Sequence, residues 1–407
     1  MKTHGSHQAR FTRPRARMKM AAMVAAACAT LSPPVLAQST VTISGRFTMA
    51  VDSVKIKNRA GNTNETGVND NTSYIRFNVV EDLGGGVLAI GQLETRNELD
   101  LGTLAATGPT FVGLKSKAWG QIIFGRENLH YGLRSSDMFA AGAELRIDSL
   151  GILAYANGGA TAIAAATRTP NVVQYTSPSW NGFAIKAAYS SQPGNAANGE
   201  ADIGSSVRKG KAWNLNPSFR RGDFEGGYSY WDSKADGAFA GLGAPAKGAA
   251  FGQAAGTDQR GDRLYGSYVW GGFKAGLVWD KARVRTVTAA ARTEISDRTA
   301  WSVPLRYQAG KHGFYAEYSK ANKDKAAAFS GLDTKADLFS LAYIYSLSKR
   351  TSVSLNYARM DNGANSFYNL YTQRSGTQDP VGLASTGAGV NRGEDPRVLG
   401  AAISHYF

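Results

Sequence analysis

The chain has 407 residues, with 46 Lys and Arg against 31 Asp and Glu, a net charge of +15, and a single cysteine. One cysteine excludes an internal disulfide framework and a Cys-only metal site. The basic residues are scattered along the chain rather than gathered in one segment, which speaks against a nucleic-acid partner despite a sequence pI near 9.7.

The chain opens on a basic stretch carrying Lys2, Arg10, Arg13, Arg15, Arg17 and Lys19 with no acid, and the apolar run AAMVAAACATL follows. Small residues then precede Gln38. This order of basic region, short apolar region and small-residue site predicts a secretory signal over residues 1–37, cleaved after Ala37. The apolar run is too short to span a bilayer. A lipoprotein signal using Cys28 is the rival reading, and Ala25 stands where such a site prefers Leu. Cleavage would remove the cysteine and six basic residues, lowering the net charge to +9. Residues 38–407 are then expected to form one domain.

From residue 41 onward the recurring pattern is alternation. In VTISGRFTMAVD, Val41, Ile43, Phe47, Met49 and Val51 share one face, and Thr42, Ser44, Arg46, Thr48 and Asp52 the other. In SYIRFNVVED, Ile75, Phe77 and Val79 oppose Tyr74, Arg76 and Asn78. A period of two predicts strands with one apolar and one polar face. Sixteen such runs lie near 41–52, 72–81, 86–96, 110–116, 120–126, 169–177, 182–190, 210–219, 223–232, 260–270, 272–282, 297–308, 312–320, 335–346, 350–360 and 397–407. The segments joining them alternate too. Short turns fall at 81–86, 115–121, 177–182, 219–224, 269–273, 307–313 and 347–351. Long polar loops fall at 53–71, 97–109, 127–167, 190–209, 233–259, 283–296, 321–334 and 361–396.

An even number of strands of roughly ten residues, with short turns at one end and long loops at the other, predicts an all-β fold: a closed antiparallel transmembrane β-barrel. Closure is required because an open edge would leave backbone groups unpaired in lipid. The alternating end of the chain, with Ile403, His405 and Phe407 on one face, is expected to pair with the first strand. Aromatic residues near strand ends (Trp119, Phe124, Trp180, Tyr189, Trp231, Trp270, Trp279, Tyr406 and Phe407) are expected in an interfacial girdle.

Several blocks carry a family likeness. VTISGRF, EDLGGGVLAIGQLET (81–95), FVGLKSKAWGQIIFGRE (111–127), RTPNVVQYTSPSWNGF (168–183) and the closing ISHYF occur in order along the chain. They resemble the blocks of Gram-negative general porins of the Burkholderia, Bordetella, Comamonas and Neisseria type. One departure is Ser73-Tyr74-Ile75-Arg76, where that family commonly has Ser-Arg-Phe-Gly, so an arginine is displaced by two residues on the same face. The resemblance implies a homotrimer of 16-stranded outer-membrane barrels, with the third long loop folded inward as a constriction. It also implies contact with outer-membrane lipid and lipopolysaccharide, and recognition of the closing Ile403, His405 and Phe407 by the barrel-assembly machinery.

The segment 127–167 occupies the place of that constriction loop, and an exposed loop of this length is unusual unless functional. It carries Glu127, Asp137, Glu144 and Asp148, with Arg126, Arg134 and Arg146 able to offset them. On the inward parity of the wall stand Arg46, Arg76, Arg96 and Arg168. Acids on the loop facing bases on the wall would set a transverse field and an ion preference. The function expected is passive diffusion of small hydrophilic solutes and ions, anion-preferring. A selective organic-anion channel is the alternative, and a barrel adhesin or enzyme the reading from another class. No catalytic motif supports an enzyme: beyond residue 37 the histidines are His130, His312 and His405, none at a recognised spacing from a nucleophile. No metal or cofactor is expected, and GNTNETGVNDN (61–71) is read as a polar loop rather than a calcium site.

Overall fold

The computed structural model describes residues 39–58, 60, 64–71, 73–130, 150–153, 169–191, 210–234, 257–287, 291–370 and 390–407. The strands in chain order are β1 (Thr40–Lys57), β2 (Asn64–Asp70), β3 (Ser73–Asp82), β4 (Val87–Glu98), β5 (Thr103–Thr107), β6 (Thr110–Ser116), β7 (Gly120–Glu127), β8 (Thr169–Thr176) and β9 (Phe183–Ser190). They continue with β10 (Lys211–Arg221), β11 (Phe224–Lys234), β12 (Thr257–Trp270), β13 (Phe273–Val287), β14 (Arg292–Ala309), β15 (His312–Ala321), β16 (Ala336–Ser346), β17 (Thr351–Asn362) and β18 (Asp395–Tyr406). One four-residue helix, α1 (Leu150–Leu153), lies between β7 and β8.

These segments make a closed ring of sixteen staves. β1 pairs with β3 along its first half and with β2 along its second, so β2 and β3 are one stave broken near residue 71. β4 pairs likewise with β6 and β5. All pairings are antiparallel, and β18 returns to β1 from Arg46↔Tyr406 to Lys57↔Asp395, which closes the sheet. Three long loops of the sequence reading are corrected here. Residues 64–70 and 103–107 are strands, and the loop expected at 283–296 shrinks because β13 runs to Val287 and β14 starts at Arg292. The Asn-rich 61–71 segment is therefore largely strand, and no group of three or more metal-ligating side chains occurs among the described residues.

The outer face shows why these strands suit a bilayer. From the short-turn end, Tyr268, Trp270, Phe273, Tyr307, Phe314 and Tyr343 form a continuous aromatic belt, with successive ring centroids 4.4–6.5 Å apart. Above it lie exposed Leu264, Leu277, Val303 and Leu305, and then Trp279 directly paired with Trp301. Phe273 and Trp279 are six residues apart, about 20 Å along the strand, close to the height of an apolar barrel band. Beyond Trp279 the outward residues become ionic: Arg283 bonds Asp297 at 3.3 Å and Arg292 bonds Asp258 at 2.9 Å. The strands thus rise out of the apolar layer and stay paired on a polar outer surface. Two expected girdle members face the other way. Trp231 is fully buried on the lumen side, and Tyr406 lies in the inward row of Arg46.

The lumen is partly filled. Ile152 and Leu153 of α1, with Tyr368 and Leu370 beyond β17, pack on Val278, Ala300, Tyr315, Leu338, Met360 and Val398 of the inner wall. This buried apolar layer lies over β13–β18. The layer also takes in Val54 of β1, the neighbour of β18.

Candidate pore constriction

The wall cluster follows from strand register. Arg46 of β1 pairs with Tyr74 of β3, which pairs with Arg96 of β4. One row on, Arg76 pairs with Glu94. Directly paired residues share a face, so five polar side chains meet on three adjacent inner strands. The three guanidinium carbons lie 5.3, 5.0 and 5.3 Å from the Tyr74 ring centroid, for Arg46, Arg76 and Arg96 respectively. The ring's negative face partly offsets the mutual repulsion of the guanidiniums. Glu94 supplies the carboxylate: Arg76 Nε donates to its Oε2 at 3.0 Å, Arg76 Nη2 reaches the same oxygen, and Arg96 Nη2 lies 2.7 Å from Oε1. The Glu94 side chain is fully buried, whereas that of Arg76 is 33% exposed. Arg46 is buried and donates to the Asn71 carbonyl at 3.4 Å. Three cations, one carboxylate and one ring leave a cationic surface on the lumen, with Arg76 its most exposed member.

Glu127 ends β7 and belongs to the wall rather than to the loop. Its Oε1 accepts the Asn128 backbone N–H at 2.7 Å. Lys186, Glu94 and Arg76 lie within electrostatic reach of it. Lys186 is a site residue that the sequence reading missed. Its signal is a lone cation in FAIKAAYS, at the inward parity of Ala188 and Ser190. Arg168, Asp137, Glu144 and Asp148 lie outside the described residues, as do Arg134 and Arg146.

The segment leaving β7 is held on the opposite wall. Asp280 of β13 takes Arg263 Nε on one oxygen at 2.8 Å and Arg298 Nη1 on the other at 2.9 Å, and all three side chains are fully buried. Other N–H groups of the two guanidiniums donate to the chain beyond β7. Arg263 donates to the His130 carbonyl at 3.2 Å and to the Leu153 carbonyl at 3.3 Å, and Arg298 donates to the Leu153 carbonyl at 2.6 Å. Carbonyls at a helix end lack intrahelical partners, and two cations satisfy this one. The His130 ring is buried, with Nδ1 2.8 Å from Ser229 Oγ and Nε2 3.8 Å from Asp280. Gly261 makes room for it, since a Cβ there would lie 2.7 Å from Nε2. Burial, and next the Arg263 charge, lower the His130 pKa to about 4. The imidazole is therefore neutral at pH 7. In the ring order, β7 is the fifth stave and β12–β14 are the tenth to twelfth. The chain from Glu127 to His130 therefore runs from β7 to the wall of β12–β14.

A closed antiparallel ring with an apolar outer band, a polar inner wall and a chain segment pinned across its lumen defines a transmembrane β-barrel of the pore-forming type. The chain belongs to the Gram-negative porin family, whose model matches residues 21–365, and it is a multi-pass outer-membrane protein. It is 28% identical over 198 residues to an outer membrane porin protein of Bordetella pertussis, an alignment covering 42% of this chain and 48% of that one. The chain thus spans about half the length of the curated relative it matches. Among solved structures, its fold is similar to an anion-selective porin from Comamonas acidovorans, with a TM-score of 0.66 and 20% identity over 91% of this chain and 100% of that one. It is also similar to OmpT of Vibrio cholerae in its trimer form, with a TM-score of 0.61 and 16% identity over 91% and 99% of the two chains.

Ile403, His405 and Phe407 take the outward parity of β18. Phe407 exchanges both backbone hydrogen bonds with Gly45 of β1, at 3.0 and 3.2 Å, and its ring lies 5.0 Å from Phe47. His405 Nδ1 shares a 2.9 Å hydrogen bond with Thr351 Oγ1.

Proposed function

We propose that this protein is a passive, water-filled channel for small hydrophilic solutes and ions, with a preference for anions. The observation that carries this reading is the wall of Arg46, Arg76 and Arg96, gathered on one ring, with Glu94 bridging two of them. A cationic surface at a constriction raises the local concentration of anions and opposes cations. The Comamonas structure is described as anion-selective, which supports the same preference. Family and fold point to a channel rather than to an enzyme.

The working unit is a homotrimer, a reading supported by the trimer form of the Vibrio OmpT structure. Residues 1–37 act as a cleaved signal, and residues 38–407 make the barrel. Asp137, Glu144 and Asp148 of the inserted segment line the constriction opposite the arginines, with Arg168 extending the basic wall. The ionic outer surface above Trp279 contacts lipopolysaccharide, and Ile403, His405 and Phe407 are read by the assembly machinery.

Planar-bilayer recording of refolded protein tests the channel. Conductance should appear in steps of three equal units and rise in proportion to salt, without saturation. A folded, heat-modifiable protein that adds no conductance would refute the reading.

A further inference from the structure

A second cationic group lies on the lumen wall away from the constriction, at the mouth formed by the short turns. Arg220 stands two residues before the turn at Gly222, Lys274 two after the turn at Gly272, and Arg306 three before the end of β14. All three take the inward parity of their strands. The register places them together. Arg220 pairs with Glu225, Glu225 with Ser267, and Ser267 with Gly276. One inward step along β13, about 7 Å, Lys274 pairs directly with Arg306. Gly276 has no side chain and Ser267 a short one, so the Lys274 ammonium can reach into that row. Glu225, Arg220 and Arg306 are the charges acting on it.

Three features separate this group from an ordinary solvated wall. Lys274 and Arg306 are like charges at directly opposed positions, an arrangement that costs stability unless an anion offsets it. Among the described residues, Glu225 is the carboxylate set against Arg220 and Lys274. And Arg306 is held in place: its Nη2 donates to Gln308 Oε1 at 2.9 Å, and its guanidinium lies 5.7 Å from the Tyr315 ring centroid. Arg220 is exposed to the lumen, and Lys274 and Arg306 are half-buried.

We propose that Arg220, Lys274 and Arg306 form a second anion site at the periplasmic mouth, binding small multivalent oxyanions of the inorganic phosphate class. The proposal rests on the channel reading above. The site would take up anions leaving the constriction and would make the pore asymmetric towards them.

The test is block of the conducting trimer by inorganic tripolyphosphate added to one chamber at a time. Orientation is fixed by Lys349→Cys in the turn 347–351, labelled with a bulky membrane-impermeant thiol reagent. Tripolyphosphate added on the short-turn side should half-block at about one-tenth the concentration needed from the loop side, and R220Q/K274Q/R306Q should abolish this difference. The single variant Arg220→Gln, an exposed position, should weaken block from the short-turn side about threefold and guards against misfolding of the triple variant. Equal block from both sides, or a sidedness that survives the triple substitution, would overturn the proposal while leaving the channel intact. Absence of any current from folded trimer would overturn both.

Discussion

At the residue scale, the constriction is a problem of holding like charges together. Tyr74 lies between three guanidiniums, and Glu94 bridges two of them. Replacing Arg76 by Gln removes the most exposed cation, and the anion-to-cation permeability ratio should fall about twofold, read from reversal potentials. Glu94→Gln should raise the same ratio, because the arginines then lose their shared counter-charge. Parity in VTISGRFT and SYIRFN was enough to put Arg46 and Arg76 on the inner face, and the parity of Gln92 and Glu94 did the same for Arg96. It could not show that Arg46, Tyr74 and Arg96 form one row, since register is a property of two strands. Trp231 and Tyr406 were misplaced for a related reason: nearness to a strand end suggests an interface, but their inward parity decides. His130 gives a pH prediction. Its pKa falls from 6.5 to about 4 in the fold. Above pH 6.5 both folded and unfolded forms are neutral, and stability does not depend on this group. Between pH 6.5 and about 4 only the unfolded form takes the proton, so the lumen anchor should weaken as pH falls through that window. Thermal dissociation of the folded barrel, followed by heat-modifiable mobility against pH, should show this slope, and His130→Asn should flatten it.

At the scale of elements, the described parts of the inserted segment, 128–130 and 150–153, pack on the barrel wall. Ile152 and Leu153 are fully buried against β13–β16, and two buried arginines clamp the Leu153 carbonyl. Arg298→Ala would leave Asp280 with one cation in place of two, a loss of about 3–5 kcal/mol by the usual cost of breaking a buried ion pair. The segment should then detach, giving a larger and noisier single-channel conductance and fast amide exchange at 150–153. Unchanged current noise would show that the apolar contacts alone hold it. The length of 127–167 marked this segment as functional, but nothing local marked its anchor. Arg263, Asp280 and Arg298 lie on three strands and read, one at a time, as ordinary lumen charges. β2 was hidden for the opposite reason. NETGVND has almost no apolar residue, because above the bilayer neither face of a strand meets lipid.

For the whole molecule, everything depends on closure between β18 and β1. Gly45 sits where a Cβ would lie 2.4 Å from the Phe407 ring and 2.6 Å from the Tyr74 carbonyl. Gly45→Val should therefore lower the yield of heat-modifiable barrel, with a drop also expected for Phe407→Ala through lost packing on Phe47. The alternation at residues 397–407 and the sixteen-run count made the ring legible from sequence, because a period of two survives wherever one face meets lipid and the other water. The arrangement of charge across that ring is the central claim: a cationic wall at Arg46, Arg76 and Arg96 faces a lumen narrowed from the opposite side. The most direct test is the zero-current potential of the refolded trimer across a tenfold potassium chloride gradient. Chloride should carry most of the current, giving the sign of an anion-selective membrane, and R46Q/R76Q/R96Q should move the potential towards zero or through it. A cation-selective potential in the unsubstituted protein, or one that the triple substitution leaves unchanged, would contradict it.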